Sequence, residues 1–367
     1  MRILHLEASS GWGGQEIRIL KEAEGMRARG HVVFLGVMKG GGLVKEACKA
    51  GFTVFELNFH KSAWLFSFIK LVFLIKLYRI DLVNTHSSLD SWIGGIAARM
   101  TRKTIVRTRH LSSPIKAGWN SRVLYGKLAD FVVTTCSDII PVICNQSGKA
   151  TSLCRFIATG VDPIQLKVDK GADEIFRAKM GIPSEAFLVG TACFMRSWKG
   201  IDDFLKAADL LRNHSNIKWV IIGGGHEEIY IKKAKEMKLN GIVYFSGHLK
   251  NPFPGLKALD SFALLSTAHE GVSQAILQAA YLRKPLIATP TGGLKEVCLD
   301  RITGLIVPPF SPREVANAVL ELQKNKAFCK EAGVKGRQLV LDKFTIESTI
   351  NQMEEVYLRA QKPAYSL

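Results

Sequence analysis

Cysteine is scarce and patternless here: seven among 367 residues, an odd number, none in a C-x-x-C pair. That excludes a zinc ribbon or a disulfide framework and fits a reducing compartment. His86, His110 and His269 fall at no metal-ligand spacing, so no metal is expected. There is no G-x-x-x-x-G-K-[ST], which excludes a P-loop NTPase, and no D-x-D carboxylate pair to grip a divalent cation. No apolar run reaches the ~20 residues of a membrane span. The first residues, M-R-I-L-H-L-E, carry Glu7 inside the apolar run and read as a first strand, not a signal peptide.

Acidic residues are also few, 32 against 50 Lys and Arg, for a formal charge of +18. The imbalance is local. From 99 to 127 there are eight basic residues, among them Arg102, Lys103, Arg107, Arg109 and Lys116, and no acid. Two readings stand: a solvated basic surface, or one that attracts an anionic partner. Residues 63–80 are strongly apolar but interrupted by Lys70, Lys76 and Arg79. An amphipathic helix covering a sheet explains them. Their aromatic load and basic flanks also suit a helix lying in a bilayer interface.

What is abundant is alternation. Apolar strands take turns with helical patterns throughout, which implies an α/β chain of two doubly wound parallel sheets with helices on both faces. Strands are expected at 2–8, 31–37, 53–57, 82–85, 104–107, 131–135 and 154–158, then at 187–193, 218–222, 243–245, 261–265, 285–288 and 304–307. Turn signals at 158–163 place a boundary near 163. This divides the chain into a first Rossmann-like domain (1–163), a second (164–345) and a last helical segment (346–367). Polar residues run on to about Glu185 before the alternation starts again.

Candidate chemistry collects in loops after strands. Glu270 stands just before a helix N-terminus, with the backbone N–H groups of Gly271, Val272, Ser273 and Gln274 beside it. A carboxylate accepts from sugar hydroxyls and a helix end attracts phosphate, which together suit a nucleotide sugar. Arg196 and Lys199 follow the first strand of the second domain and suit a pyrophosphate leaving group. The first glycine loop resembles a dinucleotide fingerprint only in part: Glu16 stands at its third glycine, and no acid ends the second strand. Gly13 and Gly14 there suit close approach to a ligand. The Gly223–Gly225 run is explained as well by a tight turn as by a ligand.

These elements resemble a GT-B glycosyltransferase of family 4, the large retaining group, over nearly the whole chain. The resemblance rests on Gly13-Gly14, Asn84-Thr85-His86, Thr108-Arg109-His110, Gly160-Val161-Asp162, Lys199-Gly200, Gly223 to Gly225, and the block 270–296 with its E-x7-E signature. Within the family it is most similar to bacterial enzymes that build lipopolysaccharide or other envelope glycans. The resemblance implies that Glu270 and the backbone after it hold the donor sugar, that Arg196 and Lys199 hold the diphosphate, and that Gly224 and the Gly292-Gly293 loop lie near the donor. It further implies that Gly13-Gly14 close over the donor, that His110 sits beside the transferred sugar, and that the last helix crosses back to the first domain. No catalytic metal or other cofactor is implied. The second glutamate of the signature is Gln278 here, which keeps an acceptor oxygen for the ribose and adds donors. Arg196 lies closer to Lys199 than the family's arginine does.

The expected activity is therefore sugar transfer from a nucleotide diphosphate sugar to an anionic, lipid-linked glycan, in the cytoplasm and at the inner membrane surface. The alternatives are a nucleotide-sugar hydrolase or epimerase on the same fold, or a nucleic-acid-binding protein using 99–127. That stretch has no helix-turn-helix or aromatic stacking motif, so nucleic acid is not an expected partner.

Overall fold

In the computed structural model, which describes residues 1–113 and 115–361, the apolar runs lie in two all-parallel sheets. The first is built from β1 (Arg2–Glu7), β2 (Val32–Met38), β3 (Thr53–Leu57), β4 (Leu82–Thr85), β5 (Thr104–Arg109), β6 (Phe131–Thr134) and β7 (Cys154–Phe156), in the order 3-2-1-4-5-6-7. The second is built from β8 (Phe187–Ala192), β9 (Ile217–Ile222), β10 (Val243–Phe245), β11 (Ser261–Leu264), β12 (Leu286–Ala288) and β13 (Gly304–Ile306), in the order 10-9-8-11-12-13. Central strands are buried on both faces because helices cover both, β1 from Ile3 onward and β4 throughout.

In the first unit, Met1–Thr159 with the segment from Ile346, one face packs Ile3, Leu35 and Val106 against Ile19, Ala23 and Met26 of the helix Gly14–Ala28. The helix Ile346–Gln361 joins that face and buries Ile350, Met353, Val356 and Tyr357 there. Gly25 permits this contact, since a Cβ at that position would stand 2.1 Å from Ile350 Cδ1. Residues 362–367 of the expected last segment lie outside the described residues. The opposite face packs Leu4, Leu6 and Val83 against Leu71 and Ile75 of the helix Trp64–Leu77 and Ile93 and Ala97 of the helix Ser88–Met100.

In the second unit, Gly160–Thr345, Val189, Trp219 and Ile221 meet Phe204 and Leu205 of the helix Ile201–Leu210 on one face. The helices Gln274–Tyr281 and Lys326–Lys343 pack together on the other. The polar stretch expected up to about Glu185 contains the helix Ala172–Met180, which buries only Phe176. The helices Ile139–Ser147, Phe253–Ala258 and Pro312–Lys324 were not anticipated either.

Each sheet has one switch point, where strand order reverses: β1/β4 in the first and β8/β11 in the second. Loops leaving neighbouring strands there diverge to opposite faces and open a crevice at the carboxyl ends, where ligands of such sheets bind.

Candidate active site

At the β8/β11 switch point, the loop after β8 carries Arg196 and Lys199, and the loop after β11 carries Glu270. The two loops are tied together. Thr267 N–H donates to Trp198 O at 2.8 Å, and Gly200, at φ 70°, sits where a Cβ would stand 2.1 Å from Leu265 O. Only glycine fits there. Lys199 Nζ donates to both carboxylate oxygens of Glu270, to Oε2 at 2.9 Å, and Ser266 Oγ donates to Oε1 at 3.3 Å. The pair is largely buried, Lys199 at 17% and Glu270 at 7% side-chain exposure.

The sequence suggested separate tasks for these two residues; the structure couples them. An ammonium has three N–H groups, so one remains after two are given to Glu270. A carboxylate accepts at about four positions, so one remains after Lys199 and Ser266 take three. The pair therefore presents one donor for an anion and one acceptor for a hydroxyl. His269, next to Glu270, holds the left-handed conformation at φ 60°, uncommon outside glycine.

The remaining residues of the block lie around this pair. Glu270 O accepts from Gly293 N–H at 3.1 Å, and a Cβ on Gly293 would stand 2.5 Å from Val272 N, so the Gly292-Gly293 turn lies flat on Gly271 and Val272. Ser273 is the N-cap of Gln274–Tyr281, and no side chain caps that helix end. Gln274 Nε2 donates to Gly160 O at 2.9 Å, which occupies its amide with structure. Gln278 is half-buried one turn further on. Arg196 is exposed, its guanidinium 5.1 Å from the Phe194 ring and 5.2 Å from the Trp198 ring.

The Gly223–Gly225 run separates into two uses. Gly223 (φ 133°) and Gly225 (φ 106°) are demanded by the backbone, since Cβ atoms there would stand 2.0 Å from Cys193 O and 2.9 Å from Met195 N. Gly224 has no such demand, its nearest neighbour being His248 Cβ at 3.4 Å.

At the β1/β4 switch point of the first unit, Gly13 and Gly14 are likewise not required by packing. Gly13 is extended at φ −157°, and a Cβ on Gly14 would meet nothing within 4 Å. Glu16, which spoils the dinucleotide fingerprint, accepts from Gly13 N–H at 2.8 Å and so closes the helix start itself.

The same switch point holds groups that sequence reasoning did not single out. Glu7 accepts from Ser9 N–H at 2.7 Å and from Gln15 Nε2. Asp90 accepts from Ala8 N–H at 3.1 Å and from His86 N–H at 3.0 Å. Burial, then the charge of Asp90, raises the Glu7 pKa to about 8. Burial raises Asp90 to about 6, against the hydrogen bonds from Ser87 that favour its charge.

Beside them runs a chain of three imidazoles, with His5 Nδ1 3.0 Å from His86 Nε2 and His86 Nδ1 3.0 Å from His110 Nε2. Burial lowers the pKa of all three, so each is neutral and carries one N–H. His5 Nε2 is buried without a partner. An orphaned lone pair costs less than an orphaned N–H. The chain therefore runs His5 N–H to His86 and His86 N–H to His110, which leaves His110 protonated on Nδ1. No spacing in the sequence signals this, because the three positions are joined only by strand register.

One expectation needs correction. Arg107 was grouped with an anion-attracting surface, but it is 4% exposed, with its guanidinium 4.2 Å from the Tyr125 ring and Nη2 donating to Tyr125 Oη at 3.3 Å. It lies within β5, which runs on to Arg109, and its side chain turns inward. Arg109 is half-buried and donates to Tyr125 Oη at 2.7 Å. Arg102 and Lys116 are exposed and Lys103 is half-buried. Among the described residues no group of three or more His, Cys, Asp or Glu is placed to hold a metal.

Two units, each a parallel sheet with helices on both faces, have the GT-B class of fold. Residues 12–165 match the model of Glycosyltransferase Family 4, and residues 172–339 match that of Glycosyl transferases group 1. The chain is a glycosyltransferase of this group 1 and family 4 type. It is 24% identical to an uncharacterized glycosyltransferase of Methanocaldococcus jannaschii over 304 residues, 77% of this chain and 76% of that one. It is 23% identical to a capsular polysaccharide biosynthesis glycosyltransferase of Staphylococcus aureus over 79% of this chain and 80% of that one. The fold is also that of Anabaena HepE in complex with UDP, with a TM-score of 0.86 at 21% identity, covering 98% of this chain and 100% of that one.

Proposed function

We propose that the chain is a retaining transferase that moves a sugar from a nucleotide diphosphate sugar to an anionic, lipid-linked envelope glycan. The observation that carries this reading is the Lys199–Glu270 pair, which offers one donor and one acceptor at the β8/β11 switch point. Lys199, with Arg196 beside it, takes the diphosphate and stabilises the charge that grows as the glycosidic bond breaks. Glu270 accepts a hydroxyl of the donor sugar, while Gly224 and the Gly292-Gly293 turn let backbone approach the nucleotide. Gln278 accepts from the ribose. In the first unit, His110 presents Nδ1–H and Gly13-Gly14 leave backbone open to a ligand at the β1/β4 switch point. The leaving diphosphate takes the acceptor's proton on the same face of the sugar, which preserves the anomeric configuration. Structures of HepE with UDP-glucose and a capsular relative in Staphylococcus aureus support a nucleotide-sugar donor and a glycan product.

The test is incubation of purified protein with nucleotide sugars, with and without a membrane extract as acceptor source, and NMR of the product anomer. Transfer that requires the extract and retains configuration is expected. Rapid release of free sugar or an epimer from donor alone would assign the chain to hydrolysis or epimerisation instead.

A further inference from the structure

The helix Trp64–Leu77 has two apolar faces, and the fold uses one. Ser67, Leu71, Leu74 and Ile75 are buried toward the sheet. On the other side Leu65 is 62% exposed, Phe66 80%, Ile69 57%, Phe73 61% and Leu77 57%. At ~100° per residue these five fall within an arc of about 120°, one continuous stripe. Scattered exposed apolar residues need no explanation, but a contiguous stripe marks an interaction surface. The helix is too short and too basic to cross a bilayer.

Charge identifies what the stripe meets. Residues 58–80 contain no acid. Lys76 stands within the stripe near its carboxyl end. The neighbouring helix Ser88–Met100 packs alongside and ends in Met100, which is 65% exposed. Strands β4 and β5 then start side by side, Leu82 opposite Thr104, so the residues entering them, Arg79 and Arg102-Lys103, gather at the same sheet edge. None of Lys76, Arg79, Arg102 and Lys103 has an ion pair among the described residues. The acids nearby are occupied: Asp81 accepts from Arg2 N–H at 2.8 Å and Asp130 pairs with Arg99 at 2.5 Å.

We propose that the outer face of Trp64–Leu77, with Lys76, Arg79, Arg102 and Lys103 at its end, docks the protein on a bilayer containing anionic lipid. The stripe sinks to the boundary between headgroups and acyl chains, Lys76 snorkels to the phosphates, and the three further cations contact the charged surface. A second copy of this chain is the poorer occupant, because residues 58–80, which form the stripe, carry no acid to meet the cations. The surface belongs to the first unit and the Lys199–Glu270 pair to the second, and docking needs neither donor nor acceptor, so it stands or falls separately from the proposed activity.

The experiment is flotation of the full chain with vesicles of phosphatidylcholine alone and of phosphatidylcholine with phosphatidylglycerol. Recovery with the anionic vesicles and little with the neutral ones is expected. Phe66→Ser with Phe73→Ser should lower the partition at least about tenfold, and Lys76→Glu with Arg102→Glu should abolish the preference for anionic lipid. All four positions are exposed, so unchanged melting temperatures verify the fold. The proposal is overturned if the wild type ignores both vesicles, binds both equally, or binds as well with the serines in place. It is also overturned if the wild type is a dimer that the serines dissociate and no vesicle is bound.

Discussion

Lys199 and Glu270 neutralise each other in a largely dry place, which makes either one costly to lose alone. Deleting one partner of such a pair leaves a buried charge, at a cost of about 3–5 kcal/mol when burial is complete and less here. Lys199→Met and Glu270→Gln should therefore each lower the melting temperature, and the double variant should lose less than the sum of the two. Each single variant should also lose transfer by about 10²- to 10³-fold, the scale of one removed electrostatic contact in a transition state. A denaturation cycle beside initial-rate measurements checks both parts. Strict additivity in stability would show that the pair does not act as a unit.

The β1/β4 switch point makes a prediction about pH. Folded Glu7 keeps its proton up to about pH 8, whereas an unperturbed one loses it near 4.5. Between those values the folded state binds more protons than the unfolded state, so stability falls as pH rises, by at most ~1.4 kcal/mol per pH unit. The three histidines act oppositely. Folded, they stay neutral below the ordinary 6.5, where the unfolded chain protonates, so their contribution is lost as pH falls through that value. Melting temperature should thus decline on both sides of a maximum. Glu7→Gln should flatten the alkaline side up to about pH 8 and steepen the fall on the acid side between about pH 6.5 and 4.5, where Glu7 offsets the histidines. Parallel profiles for variant and wild type would place the proton elsewhere.

Among elements, the last helix shows how packing is written into single residues. Gly25 is a gap shaped for Ile350, and Arg29 reaches across to Glu354 at 2.9 Å. Gly25→Ala should destabilise the first unit by about 1–3 kcal/mol through overpacking. Combining it with Ile350→Ala should cost less than the two changes summed, because each vacates room for the other. Chemical denaturation of the four proteins measures this. Elements were legible where apolar residues cluster between turn signals, as at β3 and β4, whose limits match the expectation to the residue. They were illegible where a helix touches the core at a single point: Ala172–Met180 buries only Phe176 and otherwise looks like linker. Arg107 was misplaced because charge was counted along the chain, while its direction is set by the pleat of β5. Glu270, Lys199 and the glycines of the site could be read from their places after strands. The Lys199–Glu270 contact and the histidine chain could not, because sheet order, not sequence distance, brings those residues together.

For the whole molecule, the account reduces to two sheets with one switch point each, and to the claim that the second binds an activated sugar. A ligand bound only by the folded state raises the melting temperature by mass action. The direct test is a thermal-shift series of UDP, GDP, ADP and CMP sugars against the wild type and Lys199→Met. One donor class should raise the melting temperature of the wild type in proportion to the logarithm of its concentration, and the same donor should leave Lys199→Met unmoved. If no nucleotide sugar shifts the wild type, or if the variant shifts equally, the Lys199–Glu270 pair is not the donor site.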